Sequence, residues 1–369
     1  MPHVTGAYRS CATHACALVQ ASNESRKMDL KGHLLYIDIT QICGIGCTFC
    51  MYADKHKTGM SMELSSLARE NLTALINAPD VKRISISGEG EPLNNARVFH
   101  EILELSQGGK RFEFITSGFF PHEKMAEFYD TTNRIVVSRG DTCNIRLSSD
   151  SHHIDKVKWR AHGFSLDYLR RNRPAGLSFS FRSIDTDREF TRDYLREELA
   201  RWGLDAEIVP GNALEDTLVV GEERFGIDYK NLVHPAADTP PGYLDLHGYI
   251  DAIEARVNKR FTLGSLNPPP HANGIDLTVK PNGDVYLYGI EHQRLGNIHF
   301  DRICWERLAS HVRDTPLVRA LYSQPLRDLL ARLDDLELVH KILRKANNPY
   351  WLVKELANHD GLLERMVPA

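Results

Sequence analysis

The sequence lacks several features that mark membrane, secreted or nucleic-acid-binding proteins. No apolar run approaches the roughly eighteen residues of a membrane-spanning helix, and no apolar secretory leader opens the chain. Without a leader, the 7 cysteines are not expected to form disulfides, and we expect a cytoplasmic protein in a reducing compartment. The formal net charge of −4 provides no general attraction to nucleic acid. Neither a membrane nor a nucleic acid is therefore an expected partner.

Three of the cysteines, Cys43, Cys47 and Cys50, lie within eight residues. Three thiols cannot all pair as disulfides, and a structural zinc site would want a fourth cysteine or a histidine nearby. The first histidine downstream, His56, is six residues beyond Cys50 and not at a usual ligand interval. Three thiolates on a glycine-bearing loop can instead hold one iron-sulfur cluster and leave one iron free for chemistry. The spacing favours an iron-sulfur site, with zinc as the alternative.

The context of these cysteines resembles the radical S-adenosylmethionine (SAM) superfamily, whose motif is Cys-x-x-x-Cys-x-aromatic-Cys directly after a first barrel strand. Phe49 supplies the aromatic residue and is counted with the cofactor-binding residues, and the branched apolar run 34–39 predicts the strand. The resemblance implies that Cys43, Cys47 and Cys50 bind three irons of one [4Fe-4S] cluster, and that SAM chelates the fourth. It also implies that an electron from a donor such as flavodoxin or ferredoxin cleaves SAM to a 5'-deoxyadenosyl radical.

A second motif, Gly-Glu-Gly-Glu-Pro, directly follows a predicted strand over residues 82–87. It resembles the family's Gly-Gly-Glu-Pro signature, which meets the amino group of the methionine part of SAM. Gly90, Glu91 and Pro92 match that signature, whereas Glu89 stands where the family has its first glycine. The resemblance therefore assigns the amino-group contact to Gly90 and Glu91 and leaves Glu89 without a role.

Polar residues at the ends of later predicted strands are further candidates for binding SAM, because barrel enzymes place their chemistry at the carboxyl ends of the strands. Ser117 lies in a Thr-Ser-Gly run similar to the family's Thr-Asn-Gly, and Asp150 ends a run similar to its Ser-x-Asp segment. Ser180 and Arg182 share one face of a predicted strand and could clamp the methionine carboxylate. The alternative is that these residues are capping and surface groups.

Strands and helices alternate through roughly the first 210 residues, a pattern that predicts parallel strands with crossover helices. The expected fold is α/β, with a partial (βα)6 TIM-type barrel over 31–212 whose last strand is 206–209. Residues 1–30 form a segment that we expect to be flexible. Residues 213–369 form a C-terminal extension with a β-hairpin and helices. An additional strand could lie within 134–142.

The C-terminal extension contains Asn282 and Gly283 between two alternating runs, a strong hairpin signal. With the segment that follows, it resembles the SPASM or twitch extension of the family, in which cysteines hold auxiliary clusters. Those cysteines are absent, since Tyr288 stands about where the first is expected and Cys304 alone cannot hold a cluster. We therefore predict one cluster, with the extension acting as a lid and substrate wall.

Cys143 precedes a predicted strand outside the cluster motif. Radical epimerases of the superfamily can use a cysteine thiol to give a hydrogen atom to a substrate radical, so the resemblance makes Cys143 a candidate catalytic residue. A buried structural cysteine is the alternative, because unpaired cysteines are among the most buried residue types.

The substrate is the least determined feature. About thirty residues precede the first predicted strand, too few for a peptide-recruiting domain of the usual kind. We therefore expect a small polar substrate, such as a sugar, aminoglycoside or nucleoside of secondary metabolism, for example in antibiotic biosynthesis. Dehydration by a lyase, epimerisation, oxidation and decarboxylation all stay open as outcomes. The alternatives are a peptide-modifying radical SAM maturase and a non-catalytic zinc or iron-sulfur protein.

Overall fold

A computed structural model describes residues 31–47, 50, 52, 59–230, 244–263, 274–333, 336–343, 349–359 and 361–367. The segment 1–30, predicted to be flexible, and Phe49 lie outside the described residues. Within these ranges every helix is too short or too polar to traverse a lipid bilayer.

The described residues form an alternating series of strands and helices. The strands are β1 (Lys31–Asp38), β2 (Arg83–Ser87), β3 (Arg111–Thr116), β4 (Thr142–Ser148), β5 (Leu177–Ile184), β6 (Ala206–Asn212), β7 (Glu215–Val220), β8 (Glu223–Lys230), β9 (Gly274–Val279), β10 (Asp284–Leu287) and β11 (Gly296–Asn297). The helices are α1 (Ser66–Ile76), α2 (Ala96–Leu103), α3 (His122–Arg139), α4 (Ser151–Ile154), α5 (Ala161–Asn172), α6 (Arg188–Arg201), α7 (Leu246–Val257), α8 (Trp305–Asp314), α9 (Pro316–Ser323), α10 (Leu326–Leu330), α11 (Leu336–Leu343), α12 (Pro349–Ala357) and α13 (Leu362–Arg365).

These strands form one sheet in the order β11-β10-β9-β1-β2-β3-β4-β5-β8-β7-β6. The strands from β9 to β8 in that order run parallel, and helices connect β1 through β5 in succession. Antiparallel pairs extend the sheet at both ends, and the sheet does not close within the described part of the chain. The α/β class and the partial TIM-type barrel predicted from the strand-helix alternation are confirmed.

Strand β1 shows how the sequence divides the hydrophobic core from the inside of the barrel. Leu35 and Ile37 are fully buried and belong to the core cluster. Tyr36 and Asp38 alternate with them and line a cavity on the other face of the sheet. Successive side chains of a strand point to opposite faces, so one apolar run can supply both the core and the polar lining.

The predicted position of the last barrel strand is wrong. Residues 206–209 lie in β6, at the far edge of the sheet, where β6 pairs antiparallel with β7. The strand that pairs in parallel with β5 is β8, with Arg182 opposite Asp228. A turn at Gly221, with φ of +61°, reverses the chain between β7 and β8. The error has a physical reason, since a period of two looks the same in an edge hairpin and in a barrel strand.

Residues 134–142, considered for an additional strand, form the last turns of α3 and the start of β4. Gly140 ends the helix with φ of +70°, a left-handed conformation that glycine adopts without strain. The β-branched residues before it are therefore helical. Packing overrides their preference for strands, because Ile135 and Val136 are buried in the core.

The hairpin predicted at Asn282 and Gly283 is confirmed. Gly283 has φ of +85°, and the flanking β9 and β10 pair antiparallel. Strand β9 also pairs in parallel with β1, with Thr278 opposite Tyr36. The hairpin therefore extends the barrel sheet itself, and it brings Lys280, directly after β9, to the carboxyl end of β1.

Candidate functional site

A cavity of about 750 Å³ lies at the carboxyl ends of the parallel strands. Its lining includes residues that end or directly follow six of these strands: Asp38, Glu89, Ser117, Asp150, Lys230 and Lys280. Because parallel strands bring their carboxyl ends to one edge, residues far apart in sequence meet here. The volume is within the range of ligand pockets in proteins.

The three motif cysteines lie on one wall of this cavity. Cys43, Cys47 and Cys50 all line it, and the backbone N–H of Cys50 donates to the carbonyl of Cys47 at 3.2 Å. Gly46 has φ of +72°, a left-handed conformation that the loop needs between the first two cysteines. The loop thus presents its thiols together to the space inside the barrel.

These thiols also influence one another. Burial raises the pKa of the Cys43 and Cys50 thiols, and the neighbouring Cys47 raises both further. Among the described residues, no group of three His, Cys, Asp or Glu side chains is already assembled around a metal position. The fit to an iron-sulfur cluster therefore rests on the donor set, three thiols, and on the wall of the cavity that they share.

The Gly-Glu-Pro motif holds the cluster loop at close range. The N–H groups of Gly90 and Glu91 donate to the carbonyls of Thr40 and Ile42, each at 2.9 Å. A methyl group at position 90 would lie 2.4 Å from the carbonyl oxygen of Ile42. Glycine is required there because the backbone of the loop occupies the space that the side chain of any other residue would need.

The Glu91 carboxylate joins the ends of β2 and β3. It accepts hydrogen bonds from the Thr116 hydroxyl at 2.5 Å, from the Ser117 N–H and hydroxyl at 2.8 and 2.6 Å, and from the Leu93 N–H at 3.1 Å. A carboxylate offers about four acceptor positions, so these donors fill them. Ser117 and Glu91, both predicted site residues, are thus brought into direct contact.

Glu89, where the sequence departs from the family signature, has a partner in the C-terminal hairpin. Lys280 Nζ lies 3.3 Å from Glu89, 3.1 Å from Asp38 and 2.7 Å from Glu291. Gln41 donates a further hydrogen bond of 2.7 Å to Glu89. We call Asp38, Glu89, Lys280 and Glu291 the acidic wall, because one cation faces three carboxylates.

The charges of the acidic wall depend on one another. Burial raises the pKa of Asp38 to about 6, with Lys280 opposing this and Glu89 adding to it. Burial alone would lower the pKa of Lys280, but the surrounding carboxylates raise it well above its usual value. Lys280 is therefore a fixed cation that connects the hairpin to the barrel, whereas Asp38 can exchange a proton near pH 6.

A second cluster of charged side chains comes from the neighbouring strands between β2 and β8. Arg83 Nη2 lies 3.2 Å from Glu113, which also pairs with Arg146. Arg182 Nη2 lies 2.6 Å from Asp228, and Arg146 Nε lies 3.6 Å from that same carboxylate. We call these five residues the basic wall, because three guanidinium groups face two carboxylates.

The remaining predicted SAM-binding residues lie in different surroundings. Asp150 caps α4, accepting from the His153 N–H at 3.1 Å, and its carboxylate contacts His153 Nδ1 at 2.8 Å. Arg182 lines the cavity with its guanidinium held by Asp228. Ser180 accepts from Asn144 Nδ2 at 2.7 Å and is not among the residues that line the cavity.

Cys143, the candidate hydrogen-atom donor, lies in the hydrophobic core. Its side chain is fully buried, belongs to the core cluster, and does not line the cavity. Burial raises the pKa of its thiol well above the usual value. Cys143 lies on the outward-facing side of β4, whereas Arg146 on the same strand faces the cavity. We do not carry Cys143 into the proposed mechanism.

Sequence reasoning missed several residues that line the cavity. Burial lowers the pKa of Lys230 to about 8. For His153, burial alone would lower the pKa, but hydrogen bonds with Asp150 and Cys47 outweigh it and raise the pKa to about 10. Tyr288 packs edge-on against Tyr36, with ring centroids 5.2 Å apart. The alternation of β1 could have revealed Tyr36. Lys230 had no comparable signal, because its strand lies beyond the predicted barrel boundary.

Comparisons with known proteins agree with this arrangement. Residues 37–139, which span the three cysteines and the Gly-Glu-Pro motif, match the family model of the radical SAM superfamily. No curated protein matches the chain.

Two solved structures are similar in shape over most of the chain. One is native anSMEcpe with bound AdoMet and the Cp18Cys peptide, 14% identical, covering 88% of this chain and 95% of that one with a TM-score of 0.48. The other is a histidine-tagged anSMEcpe with bound AdoMet, 14% identical, covering 90% and 96% with a TM-score of 0.43. At these TM-scores the likeness does not bear on the substrate. The match over residues 37–139 is to the radical SAM superfamily, whose enzymes use a [4Fe-4S] cluster and SAM.

Proposed function

We propose that this protein cleaves SAM reductively and uses the resulting radical to abstract hydrogen from a polar substrate held in the same cavity. The observation that carries the proposal is the shared wall. On it, three cysteines are held directly against a Gly-Glu-Pro turn at the carboxyl ends of parallel strands. A cluster with SAM bound supplies the electron transfer that breaks the sulfonium bond.

The residues of this chain have distinct roles in the proposal. Cys43, Cys47 and Cys50 hold three irons. The backbone of Gly90 and Glu91 receives the SAM amino group, since the Glu91 carboxylate is already occupied by Thr116, Ser117 and Leu93. The Glu91 side chain then serves to fix the two strand ends against each other.

The carboxylate of SAM needs a cation on the opposite side of the cavity. Arg182 lines the cavity, and burial alone would lower its pKa, but Asp228 raises it, so it stays charged. A guanidinium held in place by a carboxylate loses little entropy when it binds a second carboxylate. Arg182 therefore receives the SAM carboxylate, with Asp150 and His153 completing the wall beside Cys47.

The substrate class rests on the cavity alone. Charged side chains from both walls line it, which suits a polar substrate held by hydrogen bonds and ion pairs. The sugar, aminoglycoside or nucleoside expected from the sequence finds no support among the comparisons. A charged side chain of a peptide could make the same ion pairs with the residues that line the cavity. A peptide substrate is therefore kept as the alternative to a small polar substrate.

Anaerobic reconstitution and reduction test the proposal. We expect about four irons per chain and release of 5'-deoxyadenosine after addition of dithionite and SAM. An intact cluster that releases none would overturn it, and zinc bound in place of iron would favour a non-catalytic module. Two assays separate the substrate classes. Binding of short charged peptides in a pull-down would indicate a peptide substrate, and stimulation of SAM cleavage by small metabolites would indicate a small polar substrate.

A further inference from the structure

We propose that Asp38, with the ring of Tyr36 beside it, forms a subsite for an ammonium group of the substrate, carried either by a small amine or by a lysine side chain. This inference rests on the proposed function, because it identifies the chemical class of the molecule that shares the cavity with SAM. It concerns one carboxylate of the acidic wall, at the carboxyl end of β1.

The position of Asp38 is the first observation. It is the last residue of β1, it lines the cavity, and it is only 2% exposed. Ser87 lies opposite it on β2, and Tyr36 lies two residues earlier on the same face of β1. Both of these residues also line the cavity. A ligand that enters between the ends of the two strands therefore meets a carboxylate, a hydroxyl and an aromatic ring.

The two oxygens of the Asp38 carboxylate differ in their surroundings. Oδ2 accepts a hydrogen bond of 3.1 Å from Lys280 Nζ. Oδ1 accepts none from the described residues, yet it is not sealed inside the fold, as Asp276 Oδ2 on β9 is. Because Asp38 lines the cavity, Oδ1 is open to a donor that enters it. Buried polar groups normally have a hydrogen-bond partner, so this oxygen points to a ligand.

Lys280 leaves room for a second cation. Its Nζ lies 2.7 Å from Glu291, 3.1 Å from Asp38 and 3.3 Å from Glu89, and an ammonium group has only three N–H donors. Even with Glu89 left out of the count, Asp38 and Glu291 share one ammonium. Two carboxylates against one cation leave a formal charge of about −1 in a partly desolvated site. That charge favours an ammonium group over a neutral hydroxyl.

The ionisation of this group agrees with the charge count. Burial raises the pKa of Asp38 to about 6, Lys280 opposes this, and Glu89 and Glu291 add to it. Asp38 is therefore ionised at neutral pH, in surroundings with too little positive charge. The ionisable groups that face it are Lys280, Glu89, Glu291, Tyr36, Tyr52 and Tyr288.

Tyr36 adds an aromatic ring to the carboxylate. Burial raises the pKa of its phenol to about 12, with Asp38 adding to the shift, so the ring stays neutral. Aromatic rings attract ammonium groups through their π electrons, an attraction that grows when the cation is desolvated. A carboxylate with a tyrosine beside it therefore suits a primary amine, and an amine fixed there would hold the rest of the substrate in the cavity with SAM.

Calorimetric titration near neutral pH tests the subsite without turnover. The full chain, reconstituted and saturated with SAM but not reduced, is titrated with cadaverine and with pentanediol, its neutral counterpart. A second arm uses a capped Gly-Lys-Gly peptide and the same peptide with an acetylated lysine. We expect at least one amine to bind about tenfold or more tightly than its neutral counterpart. Binding of cadaverine indicates a small amine, and binding of the lysine peptide alone indicates a peptide.

Two variants assign the binding to Asp38. Asp38→Asn, which keeps the size of the side chain, should weaken amine binding about tenfold or more. Binding by the wild type should also weaken as the pH falls below about 6, because Asp38 then takes up a proton, whereas Asp38→Asn should lack this dependence. Damage to the fold would not remove the pH dependence alone. Asp205→Asn, at an exposed position outside the cavity, should change nothing.

Three results would overturn the subsite. They are absence of binding by both amines, equal binding of each amine and its neutral counterpart, and equal amine binding by Asp38→Asn and the wild type. The affinity for SAM, measured in the same way, should be unchanged in Asp38→Asn. A loss of SAM affinity would instead assign Asp38 to the amino group of SAM and would also overturn the inference.

Cleavage of SAM, measured in parallel on the reduced wild type, separates this inference from the proposed function. Amine binding without release of 5'-deoxyadenosine counts against the proposed radical chemistry and leaves the subsite standing. Release of 5'-deoxyadenosine without amine binding counts against the subsite alone.

Discussion

The acidic and basic walls of the cavity hold their charges in different ways. In the acidic wall, the three carboxylates converge on one ammonium group, which the C-terminal hairpin supplies. In the basic wall, three arginines lie along the strands of the barrel, and one guanidinium nitrogen has no hydrogen-bond partner in the described chain. The difference indicates that the first wall mainly fixes the extension to the barrel, whereas the guanidinium groups of the second line the cavity from the barrel strands.

The walls also polarise the space between them. Their formal charges are about −2 and about +1, and charges in a low-dielectric site interact more strongly than in water. A ligand with separated charges, such as the amino and carboxylate groups of SAM, is oriented by this field. The cysteine loop lines the same cavity as both walls, so variants in the loop or in either wall test this comparison.

Replacement of Cys47 should have the largest effect, because it removes one of the three thiols proposed to hold the cluster. We expect Cys47→Ala to lose the cluster absorbance and to release no 5'-deoxyadenosine. Iron analysis and chromatography of the nucleoside measure both. Cys304→Ala is the matched control, since Cys304 caps α8 and does not line the cavity, and it should keep full activity. Cleavage of SAM by Cys47→Ala would contradict the assignment of the cluster.

Replacement of Lys280 tests whether the acidic wall is structural. Lys280→Met leaves Asp38, Glu89 and Glu291 without their shared cation, and loss of one partner of a buried ion pair costs about 3–5 kcal/mol. We expect the free energy of unfolding in urea to fall by about that amount. Lys82→Met, at an exposed position, is the control and should change it by less than about 0.5 kcal/mol. Equal stability of the two variants would show that the wall does not hold the hairpin.

The pH dependence of stability sharpens the same comparison. The pKa of Asp38 is raised from 3.8 to about 6, so the folded protein binds this proton more tightly than the unfolded chain. Its contribution to stability is therefore full below about pH 4 and is lost as the pH rises through about 6, by roughly 3 kcal/mol. We expect Asp38→Asn to flatten the decline in unfolding free energy between pH 4 and pH 6, measured by urea denaturation. The same slope in both proteins would contradict the pKa assigned to Asp38.

The smallest effect is expected at Cys143, which lies outside both walls. Cys143→Ala removes a buried sulfur from the core and should lower the free energy of unfolding by about 1 kcal/mol. Release of 5'-deoxyadenosine, and incorporation of solvent deuterium into product once a substrate is known, should be unchanged. Loss of that deuterium with a stable fold would restore Cys143 as a hydrogen-atom donor.

The elements of the fold were predictable where local patterns are strong. The strand before the cysteines and the hairpin at Gly283 follow from alternation and from a turn that needs positive φ. The last parallel strand was not predictable in the same way. Whether an alternating run joins the barrel or its edge depends on pairing with distant strands, and local patterns contain no information on that pairing.

The residues of the candidate site likewise fall into those that local sequence patterns could predict and those that they could not. The cysteine spacing and the Gly-Glu-Pro run are contiguous in sequence, so their chemistry could be recognised directly. The partner of Glu89 could not, because Lys280 lies 191 residues later and reaches it only through the pairing of β9 with β1. The same holds for Arg83 and Arg146, which Glu113 joins across three neighbouring strands.

By itself the sequence therefore determined the kind of chemistry, since three thiols at this spacing and a glycine-bounded turn are local arrangements of reactive groups. The tertiary structure alone decided how the cavity is charged and that Cys143 does not line it. The physical reason is that parallel pairing brings the carboxyl ends of distant strands to one edge, while the alternation of each strand decides which side chains face inward. Cys143 and Arg146, three residues apart on β4, end on opposite faces of the same sheet.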